Sequence, residues 1–262
     1  MKVGFLQFYP KLFHEKRNLL RIKELLQDVD ADLIVLPELA TSGYIFANEK
    51  ELEPYTAEAR KGRIANFFRA LSVSLDAGLV VGFAEKSQGK FYNSQMLIKP
   101  DGKIDLYRKT HLFFKEKHIF EPGDTGFRVF EFGGVKLGLM VCFDWIYPEA
   151  CRTLARKGAQ IICHSANLVL PFCQKAMITR SLENRVFTIT SNRFGNEKNA
   201  GEEFGFTGMS QITDIKGNVL ASAPKDEACV KVVEIDPALA KDKNVTEFND
   251  IFADRRPDQY KS

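Results

Sequence analysis

Cys142 has the residue type and the setting of a nucleophile. It ends an apolar stretch, Leu139-Met-Val-Cys142, just ahead of a segment that Pro148 opens as a helix. A thiol before a helix N-terminus feels a dipole that favours the thiolate, which predicts a lowered pKa. Two other segments share this construction, an apolar run passing straight into charged residues. Leu33-Ile-Val-Leu-Pro-Glu38 delivers a carboxylate suited to general-base work. Leu106-Tyr-Arg-Lys109-Thr-His delivers adjacent cations, one of which can turn inward to stabilise negative charge while the other pairs at the surface. Taken singly, each has a structural alternative: Cys142 as small core filler, Glu38 as a solvated strand end, Lys109 as surface charge.

Cysteine hydrolases usually work with an imidazole, so His111, His118 and His164 are the alternative bases. None has a distinctive context, and His164, in Ile161-Ile-Cys-His164, reads as a buried histidine with its polar atoms satisfied. Cys163, His164 and Cys173 lack zinc-site spacing. The chain also has no dinucleotide-binding glycine fingerprint, no P-loop, no HExxH and no GxSxG, so nucleotide, zinc-peptidase and serine-hydrolase chemistry have no support.

The elements that must hold these residues alternate between strand and helix. Val3–Phe8, Asp32–Leu36 and Leu79–Ala84 read as buried strands. Leu19, Ile22, Leu25, Leu26 and Val29 make an amphipathic helix face, and Arg63–Leu75 and Ala176–Asn184 read as further helices. Pro148–Lys157 is expected to be helical and to stop at Gly158. Pro100-Asp-Gly102 and Gly133-Gly134 join the hairpins Tyr92–Ile98 with Lys103–Tyr107 and Phe127–Phe132 with Val135–Cys142. Gln160–His164 and Val186–Ser191 are strands, and Thr207–Ile215 is expected to pair with Ala228–Ile235 in a last hairpin. Strands alternating with helices, plus several hairpins, argue an α/β layered fold with mixed sheets.

Composition supports a packed enzyme-sized globule. The 262 residues, 45% hydrophobic and 27% charged, suffice for one large domain, and no linker or repeat divides them. A net charge of +3 points to neither a nucleic-acid nor a membrane partner. The longest stretch without charge, Gly158 to Gln174, is 17 residues and too polar to span a bilayer. The N-terminal run to Phe8 lacks the length and cleavage site of a secretory signal, and five cysteines without a CxxC pair fit reduced thiols, so a cytoplasmic location is expected.

Together, Pro37-Glu38, Arg108-Lys109-Thr-His-Leu-Phe and Val141-Cys142-Phe-Asp-Trp-Ile-Tyr-Pro-Glu149 resemble the nitrilase superfamily, the carbon-nitrogen hydrolases. Gly43-Tyr44, Asn93-Ser94, Glu121-Pro-Gly-Asp124, Arg180-x-x-Glu183-Asn184 and Ser191-Asn-Arg193 extend the resemblance over nearly the whole chain. It implies a four-layer αββα sandwich with two mixed β-sheets, commonly dimerised, and a Glu-Lys-Cys triad needing no metal or organic cofactor. Carried over, Cys142 would be the nucleophile, Glu38 the general base, Lys109 the oxyanion holder with the Phe143 N–H, and Glu116 the second glutamate that holds substrate and lysine in place. Lys115 and Lys117 beside Glu116 allow a surface reading of that residue.

Where carboxylate-recognising branches place an arginine after the nucleophile, this chain has Asp144, Trp145 and Ile146. Tyr44, Phe143 and Trp145 would instead form an aromatic wall for a small linear uncharged acyl group, although Trp145 could equally be core. The resemblance therefore implies an amidase acting on small carboxamides through a Cys142 thioester. An N-carbamoyl-amine amidohydrolase is the alternative within the class, and a non-catalytic binding protein on the same fold is the alternative outside it. The charged tail from about residue 236 is expected to be a strap used in a homodimer or higher homo-oligomer.

Overall fold

The computed structural model describes residues 1–260, so the last two positions of the expected strap, Lys261 and Ser262, lie outside the described residues. The chain opens with β1 (Lys2–Gln7), α1 (Glu15–Leu26) and β2 (Leu33–Val35). A short α2 (Glu49–Leu52) precedes α3 (Gly62–Leu75), and β3 (Gly78–Ser87), β4 (Lys90–Ile98) and β5 (Ile104–Arg108) complete the first half. The second half runs through β6 (Val129–Phe132), β7 (Val135–Val141), α4 (Pro148–Arg156), β8 (Ile161–Ser165), α5 (Cys173–Asn184) and β9 (Phe187–Ser191). It continues with β10 (Phe194–Asn199), β11 (Glu202–Thr207), β12 (Gln211–Thr213), β13 (Val219–Ser222) and β14 (Cys229–Glu234). A terminal pair, β15 (Asn244–Thr246) and β16 (Asn249–Asp250), follows.

Two six-stranded mixed sheets result, ordered β14-β1-β2-β3-β4-β5 and β13-β12-β9-β8-β7-β6. Each has a parallel centre, β1-β2-β3 or β7-β8-β9, flanked by antiparallel strands. This is the αββα sandwich that the resemblance implies. Strand alternation explains the layering. Ile34, Leu79, Val81, Met96 and Ile98 face outward onto Ile22 and Leu26 of α1 and Ile64 and Phe68 of α3. Val35, Val80 and Leu97 face the other way, into a core shared with Leu137, Leu139 and Ile161 of the second sheet. Polar ties cross that inner layer: Ser165 Oγ donates to the Leu36 carbonyl at 2.6 Å, and Gln95 Nε2 donates to Ser165 Oγ at 2.8 Å. These ties fix the carboxyl end of β8 against the carboxyl end of β2.

The expected last hairpin is corrected. Gln211–Thr213 pairs with Val219–Ser222, whereas Cys229–Glu234 crosses to the other sheet and runs antiparallel to β1. The Lys216-Gly217-Asn218 turn closes on the nearer strand, and the chain after it spans both sheets. A hairpin without a sequence expectation, β10 with β11, stands outside both sheets. Its strands carry too many Asn, Lys and Glu residues to show an apolar strand pattern. In the tail, Phe252 packs on the shared core while Phe248 and Tyr260 are exposed. Among the described residues no helix is long and apolar enough to cross a membrane.

Leu154 of α4 lies on Gly138 of β7, where an added Cβ would stand 3.0 Å from the leucine side chain. The glycine is what lets helix and sheet approach. Because Leu154 is fully buried at that contact, Leu154→Ala is expected to cost about 2–5 kcal/mol, read as a lowered denaturant midpoint. A loss under about 1 kcal/mol would mean the layer repacks freely.

Candidate active site

Glu38, Lys109, Cys142 and Asn167 all follow the carboxyl ends of strands, β2, β5, β7 and β8. Two glycines seat the first two. An added Cβ on Gly82 would stand 2.5 Å from the Glu38 Cα, so only glycine lets the chain carrying Glu38 cross β3. The crossing is pinned by the Ala40 N–H, which donates to the Gly82 carbonyl at 2.9 Å. At Gly123, in Glu121-Pro-Gly-Asp124, an added Cβ would stand 2.1 Å from the Arg108 carbonyl oxygen. The Gly123 N–H donates to the Lys109 carbonyl at 2.8 Å, and the Lys109 N–H donates to that of Asn93 at 2.8 Å. Of the two adjacent cations, Lys109 is fully buried and turned inward, whereas Arg108 binds Glu85 and Asp124.

β7 ends at Val141, one residue earlier than its apolar run suggests, and Cys142 opens a 3-10 turn over Cys142–Ile146. Its φ of 41° is a left-handed conformation that costs a non-glycine residue on the order of 1–3 kcal/mol and needs surroundings that enforce it. Asp144 supplies them. Its Oδ2 accepts from the Val141 N–H at 3.0 Å and from the Tyr107 hydroxyl at 2.7 Å, and its Oδ1 accepts from the His111 N–H at 3.1 Å. The buried carboxylate ties the cysteine turn to the segment after Lys109. Asp144, read from the sequence as the absence of a substrate-binding arginine, is therefore a structural clamp.

The charges converge on Lys109. Its Nζ donates to Glu38 Oε1 at 2.7 Å and to Glu116 Oε1 at 2.8 Å, with all three side chains buried. Glu116 points inward from the 3-10 turn Phe114–His118 while Lys115 and Lys117 are exposed, which excludes the surface reading. Burial works against the ammonium, but Glu116 and Glu38 overcome it and hold the Lys109 pKa above its ordinary value. Burial raises the Glu116 pKa, with the Lys109 charge opposing it. Glu38 Oε1 also accepts from Asn93 Nδ2 at 2.7 Å, whereas its Oε2, equally buried, has no protein partner among the described residues.

Cys142 is 5% exposed, and burial together with the neighbouring Glu38 charge pushes its pKa well above the ordinary value. The expectation of a thiolate favoured by a helix dipole is overturned, because the 3-10 turn separates the thiol from α4 and burial next to carboxylates outweighs any dipole. The resting sulfur is a thiol, 3.7 Å from the Asn167 carbonyl that accepts from it. A buried thiol near a carboxylate that keeps one oxygen unpaired, and near an ammonium, can deprotonate as it attacks an electrophile.

The histidines stand outside this constellation. His164 is buried, its Nε2 3.0 Å from the Cys142 carbonyl and its Nδ1 3.2 Å from Thr190 Oγ1, and burial lowers its pKa to about 4. His111 Nδ1 lies 2.8 Å from Asp144, and its ring stacks on Tyr147 at 3.7 Å. His118 lines a cavity of about 170 Å³ with Tyr44, Phe114, Glu116 and Phe204. The aromatic wall is divided: Tyr44 faces that cavity and donates to Glu116 Oε1 at 2.7 Å, while Phe143 and Trp145 line a narrow crevice at Cys142 with Phe113, Asn167 and Leu168. Trp145 also belongs to the shared core.

Sequence reading missed Glu197. From the unpredicted β10 it accepts from the N–H groups of Tyr44 at 2.8 Å and Ile45 at 2.6 Å, and Arg193 holds its other oxygen at 2.7 Å. Gly82 and Asn167 were missed as well. Among the described residues no group of three or more His, Cys, Asp or Glu is arranged to hold a metal ion.

The carbon-nitrogen hydrolase family model matches residues 2–244. The chain is 42% identical over 265 residues to a nitrilase of Pyrococcus abyssi, covering 99% of both proteins. It is 36% identical to an (R)-stereoselective amidase of a Pseudomonas species, over 87% of this chain and 80% of that protein. It is 31% identical to N-carbamoylputrescine amidase of Solanum lycopersicum, over 88% and 83%. Among solved structures, a carbon-nitrogen hydrolase from Helicobacter pylori superposes with a TM-score of 0.84 at 27% identity, covering 99% of this chain and 96% of that one. The chain belongs to the carbon-nitrogen hydrolase family, the nitrilase superfamily, whose enzymes act on non-peptide carbon-nitrogen bonds.

Two outcomes follow from the site's construction. Gly82→Ala is expected to lower turnover by roughly 10²-fold, because clashes with the backbone of Pro37, Glu38 and Leu39 displace Glu38 by about 1 Å; unchanged turnover in a folded variant would show that Glu38 need not sit there. His164 is the second case. A histidine whose folded pKa lies below its unfolded value of 6.5 makes the unfolded state bind more protons as pH falls from 6.5 towards about 4, so stability is lost across that window. The loss from this group is about 3 kcal/mol, and unfolding measured against pH should show a shallower acid decline for His164→Gln. Parallel declines would contradict a neutral buried imidazole.

Proposed function

We propose that the chain is a thiol amidase that cleaves small linear carboxamides to carboxylic acid and ammonia. The observation that carries this reading is the division of labour on Glu38: Oε1 is engaged by Lys109 and Asn93 and Oε2 is left without a protein partner, while the nearby Cys142 is held as a thiol by burial and the Glu38 charge. Cys142 Sγ attacks the amide carbon as Glu38 takes the thiol proton, and the carbonyl oxygen becomes an oxyanion held by the Lys109 ammonium and the Phe143 N–H. Glu38 returns the proton to the nitrogen, the C–N bond breaks, ammonia leaves and a thioester remains on Cys142. Water then gives a proton to Glu38 and adds to the thioester. The C–S bond breaks, the acid is released and the thiol regains its proton. Glu116 holds Lys109 between the carboxylates throughout.

The same steps on an N-carbamoyl amine would release carbon dioxide as well as ammonia, and the N-carbamoylputrescine amidase relative favours keeping that second reading. We place all 262 residues in one domain, and the tail from about residue 236, where Phe248 is exposed, fits a strap that packs on a second copy.

The test is ammonia release from a panel of short aliphatic amides, ω-amido acids and carbamoyl amines, with Cys142→Ala alongside. The intact protein should turn over an amide, and Cys142→Ala should lose roughly 10⁴-fold or more. Carbon dioxide appearing with ammonia would move the assignment to carbamoyl amines. Turnover by neither protein, with Cys142 also resistant to alkylation, would leave the binding-protein reading.

A further inference from the structure

Asn167 stands two residues past the end of β8 and is 2% exposed, yet neither atom of its side-chain amide has a hydrogen-bond partner among the described residues. Most buried side-chain polar atoms are paired, and of the residues here that keep an unpaired buried atom Asn167 alone leaves both its donor and its acceptor unused among the described residues. The surroundings are not those of a polar core. Asn167 shares the crevice at Cys142 with Phe113, Phe143, Trp145, Leu168 and Val169, none of which offers a polar side-chain partner apart from the indole N–H. Its backbone carbonyl accepts from the Cys142 thiol at 3.7 Å, so the unpaired amide belongs to the residue that touches the attacking sulfur. Its neighbours hold it there: the Leu168 N–H donates to Asn192 Oδ1 at 2.9 Å, and the Ala166 N–H donates to the Ser191 carbonyl at 2.8 Å.

We infer that Asn167 is a substrate-reading residue that selects a carboxamide. A side-chain amide is self-complementary to a primary carboxamide: Oδ1 accepts from the substrate N–H while Nδ2 donates to the substrate oxygen, and both orphaned atoms are satisfied by one ligand group. A nitrile has no N–H and would leave Oδ1 buried and unpaired, so the residue discriminates against nitriles by an unmet acceptor rather than by size. The terminal –CO–NH2 of a carbamoyl amine carries the same pair of groups and is accepted. The inference rests on Cys142 being the nucleophile and adds to that reading the chemical class the site admits.

The experiment compares alkylation of Cys142 by iodoacetamide and by iodoacetone. Both form the S–C bond as iodide leaves and the thiol proton passes to Glu38, and they differ in that iodoacetone has a methyl group where the amide nitrogen stands. In Asn167→Leu, an apolar replacement of similar shape, the iodoacetamide rate is expected to fall about tenfold or more relative to the iodoacetone rate, with native melting retained. Asn167→Ala gives the same ratio if the larger side chain disturbs the turn. With any substrate found, kcat/KM for the amide should fall in both variants while kcat/KM for the matching nitrile does not. A rate ratio within about twofold of the original in a folded variant, or an intact enzyme that prefers the nitrile, overturns the role of Asn167. Failure of both reagents to label Cys142 in the intact protein would instead overturn the nucleophile itself.

Discussion

The structure depends on one buried ammonium. Lys109 Nζ is held between the carboxylates of Glu38 and Glu116, with no water-facing side, and each of the three groups would be costly to bury alone. Removing the lysine would leave two carboxylates facing each other in a low-dielectric interior, a loss on the order of 3–5 kcal/mol when one partner of a buried pair is deleted. The arrangement therefore dictates where the chain must go: Gly82 lets Glu38 in, Gly123 closes over the Lys109 backbone, and Tyr44 caps Glu116. Glu197, itself paired with the buried Arg193, holds the Tyr44 segment from the outlying hairpin.

Under the proposed mechanism this cation also lets a thiol serve without a histidine. Burial and the neighbouring carboxylates keep Cys142 protonated, so in the proposed mechanism the thiol proton passes to the Glu38 carboxylate only as an electrophile is attacked. At that moment Lys109 is already charged and already in place, and the cost of organising it was met in folding. The strained φ at Cys142 and the Asp144 clamp that enforces it set the residue in the lining of the crevice.

Much of this was legible in the sequence, for physical reasons. Apolar runs that stop at charged residues marked the strand ends, and Glu38, Lys109 and Cys142 stand at three of them. Helical spacing located α1, α3 and α4 to within a few residues because their buried faces are simple. What escaped were facts that local pattern does not carry. Gly82 matters through a close approach to a residue far away in the chain, and the strand partner of Cys229–Glu234 is set by the second sheet. The β10–β11 hairpin is polar because it lies outside both sheets. The thiol's protonation state was misread because burial beside carboxylates is a tertiary property, whereas the helix ahead of it is visible in the sequence.

The central claim, that Cys142 rests as a buried thiol whose ionisation is opposed by burial and the Glu38 charge, is tested most directly by titrating the ultraviolet absorbance of its thiolate, taken as the difference between the intact protein and Cys142→Ala. The account predicts no thiolate from this residue up to and beyond its ordinary pKa of 9.0. A thiolate forming near neutral pH would contradict it and would return Cys142 to an ion-pair nucleophile favoured by a helix dipole.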